Sequence, residues 1–163
     1  MADVLGEAGD WVPRRYALST AVYVERDGKI LLLKRAGGAM TGTWYLPGGA
    51  VDNDELPEDG ARRELLEEAG IDIDGELEMI GAFPMWVYGG DALQLTYRGT
   101  AADGDVALSH EHGGARWVDP VEMRAGLTDD FIATLAAGDA RVGALVGHIR
   151  DDLDRYLRRI GAA

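Results

Sequence analysis

The stretch Gly49–Ile71, GAVDNDELPEDGARRELLEEAGI, decides how this chain is read. Its second half is the one long helix expected in the middle of the sequence. Pro57 suits the first helical turn, where a missing N–H costs nothing, and Glu58 and Asp59 favour the positive end of the helix dipole. Ala61, Leu65, Leu66 and Ala69 supply a small apolar face, and Gly70 fits a C-terminal cap. Gly60 is a weak point, costing about 1 kcal/mol relative to alanine inside a helix. Glu64 and Glu68 are spaced i,i+4 and Glu64 and Glu67 i,i+3, so their carboxylates fall on neighbouring turns. Like charges placed so close repel. A shared divalent cation would reverse that penalty, and magnesium suits because it takes oxygen ligands and keeps waters that can orient or deprotonate a nucleophile. A solvated acidic face paired with Arg62 or Arg63 is the alternative reading of the same residues.

Immediately upstream, Pro47-Gly48-Gly49 ends an irregular stretch punctuated by Gly37, Gly38 and Gly42 and holding Trp44, Tyr45 and Leu46. Gly48 and Gly49 permit a tight turn or a close backbone approach to a metal or phosphate. Further out, 16–25 reads as a strand, Asp27-Gly28 as a turn, and 30–33 as a second strand ending at Lys34-Arg35. Downstream, 77–87 and 92–97 read as two more strands, and Trp117-Val118 lies in a short one closed by Asp119-Pro120. Val121 to Met123 begin a brief helix. Ile132, Leu135, Leu145, Ile149, Leu153, Tyr156, Leu157 and Ile160 keep mostly helical spacing, with a break near Gly138. Residues 1–15 are an N-terminal extension and 16–163 a single domain that includes the C-terminal helices.

The 163 residues are enough for one compact α/β domain, and a 47% hydrophobic content supports its core. Acidic residues number 29 against 16 Lys plus Arg, a formal charge of -13 with no long basic run. Such a surface repels a nucleic-acid duplex, though a bound cation can invert the local field for a small phosphate. The absence of cysteine excludes disulfides, thiolate catalysis and cysteine-ligated zinc. Met1 to Pro13 lacks the pattern of a secretory signal, and Ile30 to Leu33 is too short to cross a bilayer, so no membrane association and a cytoplasmic location are expected.

Gly49 through Ile71 resembles the Nudix box: Gly, five residues, Glu, seven residues, then Arg-Glu-apolar-any-Glu-Glu-any-Gly-apolar. Gly49, Glu55, Arg63, Glu64, Leu65, Glu67, Glu68, Gly70 and Ile71 all match. A weaker likeness extends from Tyr16 to Asp119. The resemblance implies an α/β fold of the Nudix type, an α/β/α sandwich with a mixed β-sheet and a loop–helix–loop catalytic motif. It also implies Mg2+-dependent (Mn2+ is an option) hydrolysis of a diphosphate linkage in a nucleoside diphosphate derivative. ADP-ribose, a nucleotide sugar and a nucleoside triphosphate stay open as substrates. A non-catalytic nucleotide-sensing domain and a hydrolase of a non-nucleotide diphosphate are the alternatives. By the same resemblance Glu64, Glu67 and Glu68 face the metal with the Gly48 carbonyl, Arg63 orients them, and Glu55 ties loop to helix. Asp54 is a candidate cap for the helix. Asp52 and Asp54 depart from the common Glu and Gly, which bears on the loop turn, and Gly60 stands where alanine is common.

Glu111, between His110 and His112 and before Gly113-Gly114, resembles a later-loop acid that binds a further metal or activates water. The general base is therefore Glu64 or Glu111. In an extended segment His110 and His112 would point to one side, as surface groups, phosphate contacts or an incomplete zinc pair. Arg35 is a candidate for phosphate neutralisation, Tyr45 for lining the cleft, and Trp86 and Tyr88 for stacking a base. A homodimer is a further expectation from the resemblance.

Overall fold

A computed structural model describes residues 15–38, 40–87, 90–126 and 140–163. Residues 1–14, Tyr88, Ile132, Leu135 and the helix break near Gly138 lie outside the described residues. In chain order the elements are β1 (Ala17–Arg26), β2 (Lys29–Arg35), β3 (Trp44–Tyr45), α1 (Pro57–Ala69), β4 (Ile73–Val87), β5 (Gly90–Ala101), β6 (His112–Val118), α2 (Pro120–Gly126) and α3 (Ala140–Arg159). The strands expected from sequence are present, and most run longer than the apolar pattern alone marked. The stretch around Trp44, read as irregular, contributes a two-residue strand to the edge of β2.

The six strands form one mixed sheet ordered β3-β2-β1-β5-β4, with β6 on the other edge of β2. β1 runs parallel to β5 and antiparallel to β2. β1 is apolar on both faces because both are covered. Val22 and Val24 pack with Ala61, Leu65 and Ala69 of α1, while Ala21 and Tyr23 pack with Leu153, Tyr156 and Leu157 of α3. Helices thus cover both faces, as the resemblance implied. Complete burial of Leu65 stabilises the α1 layer by about 2 kcal/mol.

α3 is seated by more than apolar contact. Its Asp152, 1% exposed, accepts hydrogen bonds from Tyr23 Oη (2.8 Å) and Thr96 Oγ1 (2.7 Å) across the sheet. Among the described residues no helix is long and apolar enough to cross a membrane.

The feature that builds a site is a split in the sheet. β1 pairs with β2 only near their connecting turn, at Glu25–Ile30 and Arg26–Lys29. Further along, β2 pairs with β3 instead. The edge of β1 left open is filled by the loop before α1. Val22 N–H donates to the Pro47 carbonyl, Thr20 N–H to the Gly49 carbonyl, and Val51 N–H to the Leu18 carbonyl. The start of Gly49–Ile71 is therefore stitched to the central strand while its helix lies over it.

Candidate active site

Alternate carbonyls of the stitched loop are consumed by β1, so the Gly48 carbonyl accepts no hydrogen bond among the described residues. Its N–H donates instead to Glu68 Oε2 at 2.9 Å. The two glycines are required by contact. A Cβ on Gly48 would overlap the Thr20 carbonyl, and one on Gly49 would lie 2.5 Å from the Glu64 carboxyl carbon. Glu64 and Glu68, one turn apart, thus point into the glycine loop, as their spacing predicts.

Glu67 faces outward to a greater degree, its side chain 60% exposed, but Arg63 draws it toward Glu64. One guanidinium nitrogen, Arg63 Nη1, donates to Glu64 Oε1 at 2.9 Å and to Glu67 Oε2 at 3.3 Å. The rest of the fork holds the loop, with Nε and Nη2 on the two oxygens of Glu55 and Nη2 also on the Ala50 carbonyl. Glu55 in turn accepts the Asp52 N–H at 2.7 Å. Arg63 and then the Asp52 N–H hold the Glu55 carboxyl below its usual range. The tie between loop and helix expected of Glu55 is made through Arg63.

Three local expectations change. Leu66 does not anchor the helix: it is 56% exposed, because Ala61, Leu65 and Ala69 alone lie on the strip facing the sheet. Asp54 is not a cap; Leu56 occupies that position without a side-chain hydrogen bond. Asp54 instead adopts φ +70°, so an aspartate makes the turn for which a glycine is common. Gly60, weak for a helix, has a packing reason: a Cβ there would sit 2.8 Å from Glu55 Oε1.

The later acid acts on the helix carboxylates from a separate turn. Glu111 lies in the turn before β6, its carbonyl accepting the Ala36 N–H, and its Oε2 is 3.9 Å from Arg35 Nη1. Glu68, 5% exposed, has a carboxyl pushed up to about 7. Burial is the main cause, opposed by the Gly48 N–H; Glu64 and Glu111 push the same way as burial, and Arg35 opposes them. Glu64 is also raised, by burial first, against the bond from Arg63. Arg35 and Glu111 therefore belong to the same electrostatic site as the helix.

The remaining candidates lie elsewhere. Tyr45 packs against Phe83, Ile149 and the cluster beneath α3, and burial pushes its hydroxyl up. Trp86 is 44% exposed near the end of β4. His110 sits exposed in a turn and His112 begins β6, so they do not share one extended face. His112 is the residue that sequence reading missed. Open in sequence to a surface position, a phosphate contact or half of a zinc pair, it has a side chain only 5% exposed, with Nε2 3.7 Å from Glu68 Oε1. The paired glycines after it were the available signal, since glycine in a strand often marks a bulge.

Among the described residues, no three carboxylate or imidazole side chains converge as a ready ion cage. The donor chemistry nevertheless fits a hard cation. Glu68 is buried among like charges and accepts the Gly48 N–H, Glu64 packs on Gly49, and the Gly48 carbonyl accepts no hydrogen bond among the described residues. Magnesium commonly takes one or two carboxylates and completes its shell with water and substrate phosphate.

Known proteins resemble this chain in sequence and in fold. A profile of the NUDIX domain matches residues 14–137. A MutT-like protein of Streptomyces ambofaciens is 32% identical over 146 residues, covering 89% of each chain. An RNA pyrophosphohydrolase of Gluconacetobacter diazotrophicus is 32% identical over 151 residues, covering 74% of this chain and 89% of the relative. The crystal structure of the MutT protein from Methanosarcina mazei Go1 aligns with a TM-score of 0.68 at 25% identity, over 91% of this chain and 98% of that one. The motif, the helix-covered mixed sheet and the profile spanning most of the sequence agree: the chain belongs to the NUDIX domain family and is an enzyme of the Nudix hydrolase type.

Proposed function

We propose that this enzyme hydrolyses the diphosphate linkage of a small nucleoside diphosphate derivative with Mg2+, or Mn2+ in its place. The observation that carries the reading is Glu68, buried against the Gly48 N–H, with Glu64 beside it and Glu111 and Arg35 acting on it. Glu64, Glu68 and the Gly48 carbonyl would hold the cation, with Glu67 and Glu111 contributing at the rim. When bound, such an ion supplies charge neutralisation for the diphosphate oxygens and acidifies nearby water.

The chain's own groups do the rest. Arg63 fixes the separation of Glu64 and Glu67 while Glu55 fixes Arg63. Arg35, with a side chain 36% exposed, faces Glu111 where it can receive a phosphate oxygen. Glu64 or Glu111 takes the proton of the attacking water. An RNA pyrophosphohydrolase among the relatives makes a 5′-triphosphorylated RNA a worthwhile substrate to compare with small nucleotides. The formal charge of -13 favours the small ones.

The test is turnover of ADP-ribose, a nucleotide sugar, nucleoside triphosphates, a 5′-triphosphorylated RNA and an isoprenoid diphosphate, with product identification. Mg2+-dependent turnover, highest on a small nucleotide and lost in Glu68→Gln, is expected. Unchanged activity in Glu68→Gln refutes the role given to the helix, and preference for the isoprenoid diphosphate refutes the substrate class. Glu64→Gln and Glu111→Gln separate the two candidate bases by which loses more kcat. A homodimer is proposed on the same footing, from exposed Tyr16, Leu18 and Trp86, and a monomer in light scattering would refute it.

A further inference from the structure

We infer that His112 is a positioning residue that holds Glu68 in its metal-facing orientation. This rests on the function proposed above, and the first observation is a register shift. β6 pairs antiparallel with β2 through Leu33–Ala115 and Lys34–Gly114, but the next pair is Arg35–His112. Gly113 is left over as a bulge. Side chains alternate along a strand, so one unpaired residue exchanges the faces of everything beyond it. Ala115 and Trp117 pack on the α1 side of the sheet. Regular pairing would have put Gly113 on that side and His112 on the other. The bulge brings the imidazole to the carboxylate helix, and bulges beside active sites commonly re-aim a side chain in this way.

The second observation is how Glu68 is enclosed. Oε2 receives the Gly48 N–H at 2.9 Å, and Oε1 faces His112 Nε2 at 3.7 Å, with both side chains almost wholly buried. That separation exceeds hydrogen-bond length. The ring limits the swing of Oε1, and a closure of less than an ångström would convert the contact into an Nε2–H donor. A main-chain N–H and an imidazole thus bracket one carboxylate.

The third observation separates this role from filling space. His112 Nδ1 is buried without a hydrogen-bond partner in the described structure. A leucine or methionine would fill the same volume without stranding a polar atom, so packing alone favours replacing the histidine. Among the described residues, the ring faces Glu68 and feels the charges of Arg35 and Glu111, all of the proposed site.

The test compares His112→Met, which keeps volume without a donor, with His112→Gln, which restores one. Mn2+ affinity is measured by calorimetry, alongside thermal unfolding and kcat and KM. The expected result for His112→Met is Mn2+ binding weakened about 10–100-fold with a similar loss of kcat/KM, as supporting partners of metal ligands usually show. Its melting temperature should stay level or rise, and His112→Gln should recover most of both losses. Wild-type Mn2+ affinity in His112→Met overturns the inference, as does a glutamine variant no better than methionine. Losses that merely follow a fallen melting temperature also overturn it. If the wild-type enzyme neither binds Mn2+ nor turns over the substrate panel, the proposed function itself fails, and this inference with it.

Discussion

Replacing Gly49 by alanine tests the site with one methyl group. A Cβ at this position lies 2.5 Å from both Cδ and Oε2 of Glu64, whereas ordinary van der Waals contact begins at 3.4 Å, so the carboxylate must retreat by about 0.9 Å. It cannot retreat freely. Glu64 is 17% exposed and bound to Arg63 Nη1 at 2.9 Å, so displacing it also shifts the guanidinium that holds Glu55 and Glu67. In the site proposed above, misplacing this carboxylate by roughly 1 Å costs about 100-fold, or about 2.7 kcal/mol in the barrier. Initial rates with the best substrate and saturating Mg2+ should show kcat/KM lower by about that factor. Stability should change little, because Gly49 has no positive φ and the atoms it displaces belong to a side chain. Gly48→Ala is the contrast: its Cβ overlaps the backbone of Thr20 and lies 2.7 Å from Ala21 Cα, atoms of the central strand that cannot yield. That variant should lose melting temperature first. The reasoning is refuted if Gly49→Ala keeps kcat/KM within about threefold of wild type, or if it unfolds as readily as Gly48→Ala.

Arg63→Lys keeps the charge but loses the fork that grips Glu55, so urea unfolding should show reduced stability together with lower kcat; a silent change would refute the bridging role. Asp152 has a carboxyl raised above its ordinary 3.8, chiefly by burial and against the bonds from Thr96 and Tyr23. The folded state therefore binds this proton more tightly than the unfolded one. That contribution to stability is complete below 3.8 and is lost as pH rises through the folded value. Unfolding free energies between about pH 4 and 7 should favour Asp152→Asn increasingly over wild type as pH rises, and a difference that shrinks with pH would contradict the burial argument. Leu65→Ala should cost about 2–5 kcal/mol, while Leu66→Gln should stay within about 0.5 kcal/mol; equal effects in thermal or urea unfolding would mean α1 is seated on a different face.

Much of the molecule was legible in the residues themselves. Spacing along Gly49–Ile71 specified a helix start, a helix end and three carboxylates on adjoining turns, because those features are local and helical geometry is regular. The cap at Gly70 follows the same logic, its N–H donating to the Leu66 carbonyl at 2.9 Å. Strand positions were legible from apolar runs, and the family from the box.

What stayed hidden depended on which elements meet. Leu65 and Leu66 are equally apolar neighbours, and only the direction in which α1 docks on the sheet separates the buried one from the exposed one. Gly60 looks like a flaw until Glu55 is folded back against it. Arg63 could have paired with any of several acids, and the choice was made when β1 left an edge open for the loop 47–51 to fill. The register of β6 against β2 put His112 beside Glu68. Period and charge are properties of the chain alone. Docking direction, strand register and burial are properties of pairs of elements, and they exist only once the sheet has formed.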